Sequence, residues 1–232
     1  MEFRPFQKIS RLSREMIVTE KIDGTNASIY ITPIAKTYWD DKMLLYFYGP
    51  DCSTWGVYAA SRTRWITPED DNFGFAAWVV EHWPDLKVLG PGHHFGEWWG
   101  KGIQRGYGLE ERRFSLFNVN RWSPDNPPAC CSIVPVLYRG VFYTLTIDTI
   151  LEHLRERGSI AAPGFPAPEG VVVFHAASGM LFKKTCEHDD EPKNAHPKKE
   201  REPQQKRKGD PAQGGRRVAV LPISFPDRRG AV

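Results

Sequence analysis

The chain has 232 residues, 41% hydrophobic, 12% aromatic and 25% charged, with a formal net charge of +3. That is enough for one sizeable core or at most two small domains, and no run approaches the roughly 18 apolar residues of a membrane span. Four cysteines (Cys52, Cys130, Cys131, Cys186) show neither paired metal spacing nor a disulfide framework, so reduced thiols are expected, and because Met1-Glu2-Phe3-Arg4-Pro5 lacks a signal-peptide core, so is a cytoplasmic location.

In chain order, residues 1–15 read as a polar lead-in. Apolar alternation predicts strands over 16–22 and 26–32, on either side of Asp23-Gly24, which is a common tight-turn pair. Further strands are predicted over 44–48 and 57–62. Asp70-Asp71-Asn72 caps a predicted helix that turns Phe73, Ala76, Ala77, Val80 and Trp83 inward and stops at Pro84. Residues 93–99 read as a strand, 100–108 as a Gly-rich loop, 114–119 as an alternating strand and 133–142 as a further strand region. A helix over 146–157 carries Ile147, Ile150, Leu151 and Leu154 on one face and ends at Gly158. Residues 169–175 and 180–185 read as a hairpin around Ala177-Ser178-Gly179. Strand-rich order with two helices and antiparallel connections predicts an α+β fold.

Apolar periodicity stops near residue 190. Residues 193–217 hold nine Lys or Arg against three acidic residues, too polar a stretch to offset the entropy of ordering. The expected division is a folded domain over 1–190 and a basic, largely disordered tail over 191–232. Such a tail is either a solvated charge run or a clamp on a phosphate backbone, where released counterions add affinity.

Four short elements carry the chemistry. Lys21-Ile22-Asp23-Gly24 sets a lysine at a strand end, before a glycine. At the floor of a pocket such a lysine can be desolvated, which favours the neutral, nucleophilic amine. The plain alternative is an exposed hairpin with surface Lys and Glu. Phe95-Gly96-Glu97-Trp98, Glu169-Gly170-Val171-Val172 and Phe182-Lys183-Lys184-Thr185 follow, each on a predicted strand. Each motif alone is weak, and their order is what gives them weight.

With these elements in this order, the chain resembles the covalent nucleotidyltransferase superfamily of RNA ligases, ATP-dependent DNA ligases and mRNA capping enzymes. Glu20-Lys21-Ile22-Asp23-Gly24-Thr25-Asn26 looks most like the RNA ligases. The resemblance implies a nucleotidyltransferase (ATP-grasp-like) fold of two antiparallel sheets flanked by helices, with nucleotide between them. It implies use of ATP and Mg²⁺ (or Mn²⁺). Lys21 takes AMP, AMP passes to a 5′-phosphate, and a 3′-hydroxyl displaces it to seal an RNA nick or break. The partner implied is RNA in preference to DNA, with no membrane, and a monomer is expected. A DNA ligase, and a catalytically idle nucleotide- or RNA-binding module of the same fold, are the alternatives.

By the same resemblance, Lys21 is the nucleophile, within a nucleotide-binding set that includes its neighbours Glu20 and Asp23. Asn26 matches a residue that holds metal-bound water, and Glu169 a metal-associated carboxylate. Arg62 matches an arginine near the ribose, Glu97 a carboxylate on the ribose hydroxyls, and Phe117 a ring stacked on adenine. Lys183 and Lys184 match lysines on the phosphates. The family spaces that pair one residue apart, whereas here they are adjacent, so on one strand they face opposite ways. Lys184 is the preferred phosphate contact and Lys183 the alternative. His93 and His94 are read as structural or solvated.

Overall fold

The apolar alternation at the lysine motif forms strand β1 (Glu15–Lys21). Met16, Val18 and Glu20 point to one side of it and Ile17, Thr19 and Lys21 to the other, into a cleft. The structure is a computed structural model that describes residues 3–35, 40–187 and 189. The basic tail and the boundary expected at residue 190 lie outside the described residues.

β1 sits within a four-stranded antiparallel sheet. β11 (Met180–Thr185), β10 (Gly170–His175), β1 and β9 (Val136–Val141) follow one another across it. Helix α3 (Thr144–Arg157) covers its outer face, setting Ile147, Leu151 and Leu154 against Met16, Val18, Val171 and Val173. α3 ends where the sequence predicts. Gly158 takes φ 82°, a conformation that glycine adopts without strain, and its N–H donates to the Leu154 carbonyl.

The second, larger sheet runs β3 (Leu45–Tyr48), β4 (Thr54–Ser61), β2 (Thr25–Ile34), β6 (Gly92–Gly100), β7 (Arg112–Leu116) and β8 (Cys131–Ile133). A two-residue strand, β5 (Trp65–Ile66), pairs with β4. Ala27, Ile29, Val57, Ala59, Trp98 and Phe114 pack against Phe75, Ala76 and Val79 of α1 (Phe75–Glu81) and Trp83 and Leu86 of α2 (Trp83–Leu86). The opposite face of this sheet looks into the cleft. A smaller cluster of Ile22, Trp99, Tyr107, Val134 and Ala162 joins the sheets at one end of it.

Several expectations need correction. β1 and β2 are not a hairpin, because they lie in different sheets and Ile22-Asp23-Gly24 crosses between them. Gly24 is required by crowding rather than by a turn: a Cβ there would meet the Trp98 carbonyl oxygen at 2.5 Å and the Trp99 Cβ at 2.7 Å. The region 133–142 is not one strand. Pro135 lacks an N–H, and the chain leaves the larger sheet at Ile133 and enters the smaller one at Val136. The sheets are not wholly antiparallel, since β7 and β8 run parallel.

Pro84 does not end the helical path. It sits in the first turn of α2, where its missing N–H costs nothing, so among the described residues the α-helices are α1, α2 and α3 rather than the two expected. The Asp71 carboxylate does bond the first turn of α1, accepting the N–H groups of Ala76 and Ala77 at 2.9 and 3.0 Å.

Candidate active site

Lys21 ends β1 on the cleft face, and the ladder sets it opposite Gly170 of β10. Glu169, just before β10, therefore meets it: Lys21 Nζ lies 2.6 Å from Glu169 Oε2, with the two side chains 20% and 7% exposed. Lys21 lines a cavity of about 540 Å³ between the sheets, with Glu169 bonded to it from behind the lining. From the larger sheet side come Asn26, Arg62, Glu97 and Phe117. The smaller sheet contributes Ile17, Thr19, Lys21, Val172, Phe174 and Lys183.

Glu97 and Asn26 are cross-strand partners on β6 and β2, which explains their shared position on the floor. Glu97 Oε1 accepts the Gly24 N–H at 3.1 Å. Burial pushes its carboxyl up to about 7, with Glu169 and Asp23 adding to the rise while Lys21 and the Gly24 N–H oppose it. Arg62 and Lys183 have no hydrogen-bond or ion-pair partner among the described residues, yet both line the cavity. Phe117 is 38% exposed, its ring left available on the cavity wall.

The turn after Lys21 is held from outside the motif. The Asp23 N–H donates to the Tyr107 hydroxyl at 2.8 Å, and burial pushes that hydroxyl's pKa up, keeping it neutral. The Asp23 carboxylate accepts Arg105 Nε at 3.0 Å, and Arg105 Nη1 donates to the Ala167 carbonyl at 2.9 Å. One guanidinium thus ties the lysine turn to the loop that delivers Glu169. Neither Arg105 nor Tyr107 belongs to any motif in the sequence. The only hint is the Gly-rich loop that contains them.

Glu20 turns to the opposite face from Lys21, as strand alternation requires, and is 1% exposed. Its carboxylate accepts the Ser159 hydroxyl at 2.5 Å and the N–H groups of Ile160 and Ala161 at 2.8 and 2.9 Å. That carboxylate fastens the loop after α3 and is not free for a nucleotide. The two adjacent lysines of β11 face opposite ways, and the expected one, Lys184, is not the one in the cleft. Lys184 faces α3 and pairs with Asp148, while Lys183, opposite Val172, lines the cavity. Two residues either side of Lys183, on its own face, stand Leu181 and Thr185, so β11 brings one cation to the cleft.

His94 is buried and bonded to the Gly90 carbonyl, and the His93 ring meets the Ser28 hydroxyl at 2.9 Å. Among the described residues no three His, Cys, Asp or Glu side chains converge as a metal cluster, and no helix is long and apolar enough to cross a membrane.

A mixed α+β chain with a lysine–carboxylate pair in a cleft between two sheets is what this geometry defines. A family model described as RNA ligase matches residues 14–187, and the chain belongs to that family. Similar solved structures include several of Naegleria gruberi RNA ligase. The form with PPi is 18% identical over 75% of this chain and 50% of that one, with a TM-score of 0.47. A mutant with AMP and Mn is 16% identical over 75% and 50%, TM-score 0.46. A mutant with ATP and Mn is 16% identical over 74% and 48%, TM-score 0.45. The chain spans about half the length of these ligases. No curated protein matches the chain.

Proposed function

We propose that the chain is an ATP-dependent RNA ligase of nucleotidyltransferase fold that works through a covalent lysyl-AMP. The observation that carries this reading is Lys21 Nζ, bonded to Glu169 and lining a cavity with two cations, Arg62 and Lys183, that have no partner among the described residues.

The Lys21 amine attacks the α-phosphorus of ATP, an N–P bond forms and pyrophosphate leaves. Glu169 Oε2, at 2.6 Å, is the acceptor in line for the ammonium proton as the lone pair is freed. AMP then passes to a 5′-phosphate of RNA, and a 3′-hydroxyl displaces it to close the break. Phe117 stacks on adenine. Glu97 receives the ribose hydroxyls. Lys183 and Arg62 neutralise phosphate charge, and such transfers need little from a protein beyond charge and in-line geometry.

Glu169, with Asn26 through a water, would hold Mg²⁺ or Mn²⁺. One carboxylate suits a cation that keeps several waters and shares phosphate oxygens, in keeping with the lack of a three-ligand cluster among the described residues. When bound, the metal lowers the charge cost at the α-phosphate. The chain is proposed to act as a cytoplasmic monomer. The basic run over 193–217 is proposed as a second phosphate contact, so deleting 191–232 should flatten the salt dependence of RNA binding while sparing the Lys21 adduct.

The test is incubation with radiolabelled ATP or GTP and Mg²⁺, then denaturing electrophoresis. Label retained with ATP, and lost in Lys21→Ala, is the expected result. Retention with GTP alone points to capping chemistry, and no retention at all overturns the reading in favour of an idle binding module. Matched nicked RNA, nicked DNA and single-stranded RNA then rank the substrates.

A further inference from the structure

Beyond the cavity, the cleft-side face of the larger sheet carries rings in place of carboxylates. Along β2 the residues on this face run Asn26, Ser28, Tyr30, and along β6 they run Glu97, Phe95, His93. They pair rung by rung, Asn26 with Glu97, Ser28 with Phe95 and Tyr30 with His93, each rung about 7 Å from the last. The first rung is the cavity floor. The next two are aromatic and continue sideways onto β5, where Trp65 lies 6.0 Å from the Tyr30 ring.

The rings form one connected surface. His93 and Phe95 centroids are 4.1 Å apart, Tyr30 and His93 5.2 Å. Trp65 and Phe95 remain 40% and 47% exposed. Side chains this large, grouped and in water, mark an interaction surface rather than scattered surface residues. The surface also begins where the cavity's unpaired cation Arg62 stands, three residues before Trp65.

We propose that Tyr30, Trp65, His93 and Phe95 are a stacking platform for unpaired nucleotides next to the RNA end held at the cavity. This rests on the ligase reading above. Continuity with the cavity fixes the occupant's direction, and Arg62 and Lys183 supply the anion contacts at its near end. Aromatic faces accept any base, so the platform holds the strand without reading its sequence.

The test compares the wild-type chain with a Trp65→Ala, Phe95→Ala double variant. Binding of a short fluorescein-labelled single-stranded RNA with a 5′-hydroxyl, which cannot accept AMP, is followed by anisotropy. The dissociation constant should rise about tenfold or more, the loss of about one stacked base. Adduct formation with labelled ATP and the melting temperature should hold, and a Trp65→Phe variant should bind nearly as wild type. An oligonucleotide abasic throughout should bind both proteins equally. Unchanged RNA affinity in the double variant, or an equal loss on the abasic strand, overturns the platform. So does unchanged affinity with altered sedimentation, which would mean that a second copy of the chain covers this face. If the wild type forms no adduct, the ligase reading fails while the comparison of base-bearing and abasic strands still decides the platform.

Discussion

Lys21 Nζ and Glu169 Oε2 lie 2.6 Å apart although 148 residues separate them, and the β1–β10 ladder is what closes that distance. Replacing Glu169 with Gln keeps the shape and removes the charge proposed to aim and deprotonate the amine. Adduct formation should fall by about 100-fold or more, read as the single-turnover rate of label transfer from ATP. A rate within a few-fold of wild type would remove Glu169 from the chemistry.

Glu97 makes stability depend on pH. Its ordinary value is 4.5 and burial raises it to about 7 in the folded chain. Between those values the folded state binds more protons than the unfolded one, so stability falls as pH rises from about 4.5 to about 7 and levels off above. A shift of that size corresponds to about 3 kcal/mol. Glu97→Gln, which can still accept the Gly24 N–H, should remove most of this slope and melt higher than wild type at pH 8. Thermal melts across that range read it directly.

The two adjacent lysines of β11 should separate cleanly. Lys183→Ala is expected to slow adduct formation by about tenfold or more, because it removes an unpaired cation from the cavity wall. Lys184→Ala should leave that rate unchanged. Its exposed pair with Asp148 is worth at most about 1 kcal/mol, visible only as a small drop in melting temperature.

Glu20 is expected to behave as a structural residue. Glu20→Ala strands the buried Ser159 hydroxyl and two part-buried loop N–H groups, a loss of about 3 kcal/mol. Denaturant unfolding checks this. Glu20→Gln should recover part of it, since an amide oxygen placed as Oε2 is can accept both loop N–H groups.

What the sequence made legible follows from local rules. Period-two alternation marks β1, β10 and β11, and Gly158 marks the end of α3. The lysine and carboxylates of the site stand out because their four short motifs occur in the order found in the family the chain resembles. What stayed hidden depends on pairing between distant strands. Asp23-Gly24 has the composition of a tight turn, yet crowding at Trp98 and Trp99 makes it a crossing between sheets. The facing of Lys183 follows only from its register opposite Val172. Glu20 was readable: alternation alone sets it across the strand from Lys21. Arg105 and Tyr107 left no such signal, since a loop's contacts are decided by what folds against it.

The crossing at Ile22-Asp23-Gly24 has a mechanical consequence. Lys21 is laddered to the smaller sheet, while Gly24, three residues later, is gripped by Glu97 of the larger one. A relative displacement of the two layers would be small near this stitch, because chain and hydrogen bonds tie both layers together there. Displacement grows with distance from a pivot, so the outer edges swing while the reactive nitrogen stays almost still. The Lys21 nitrogen is thereby held where either layer can move it least.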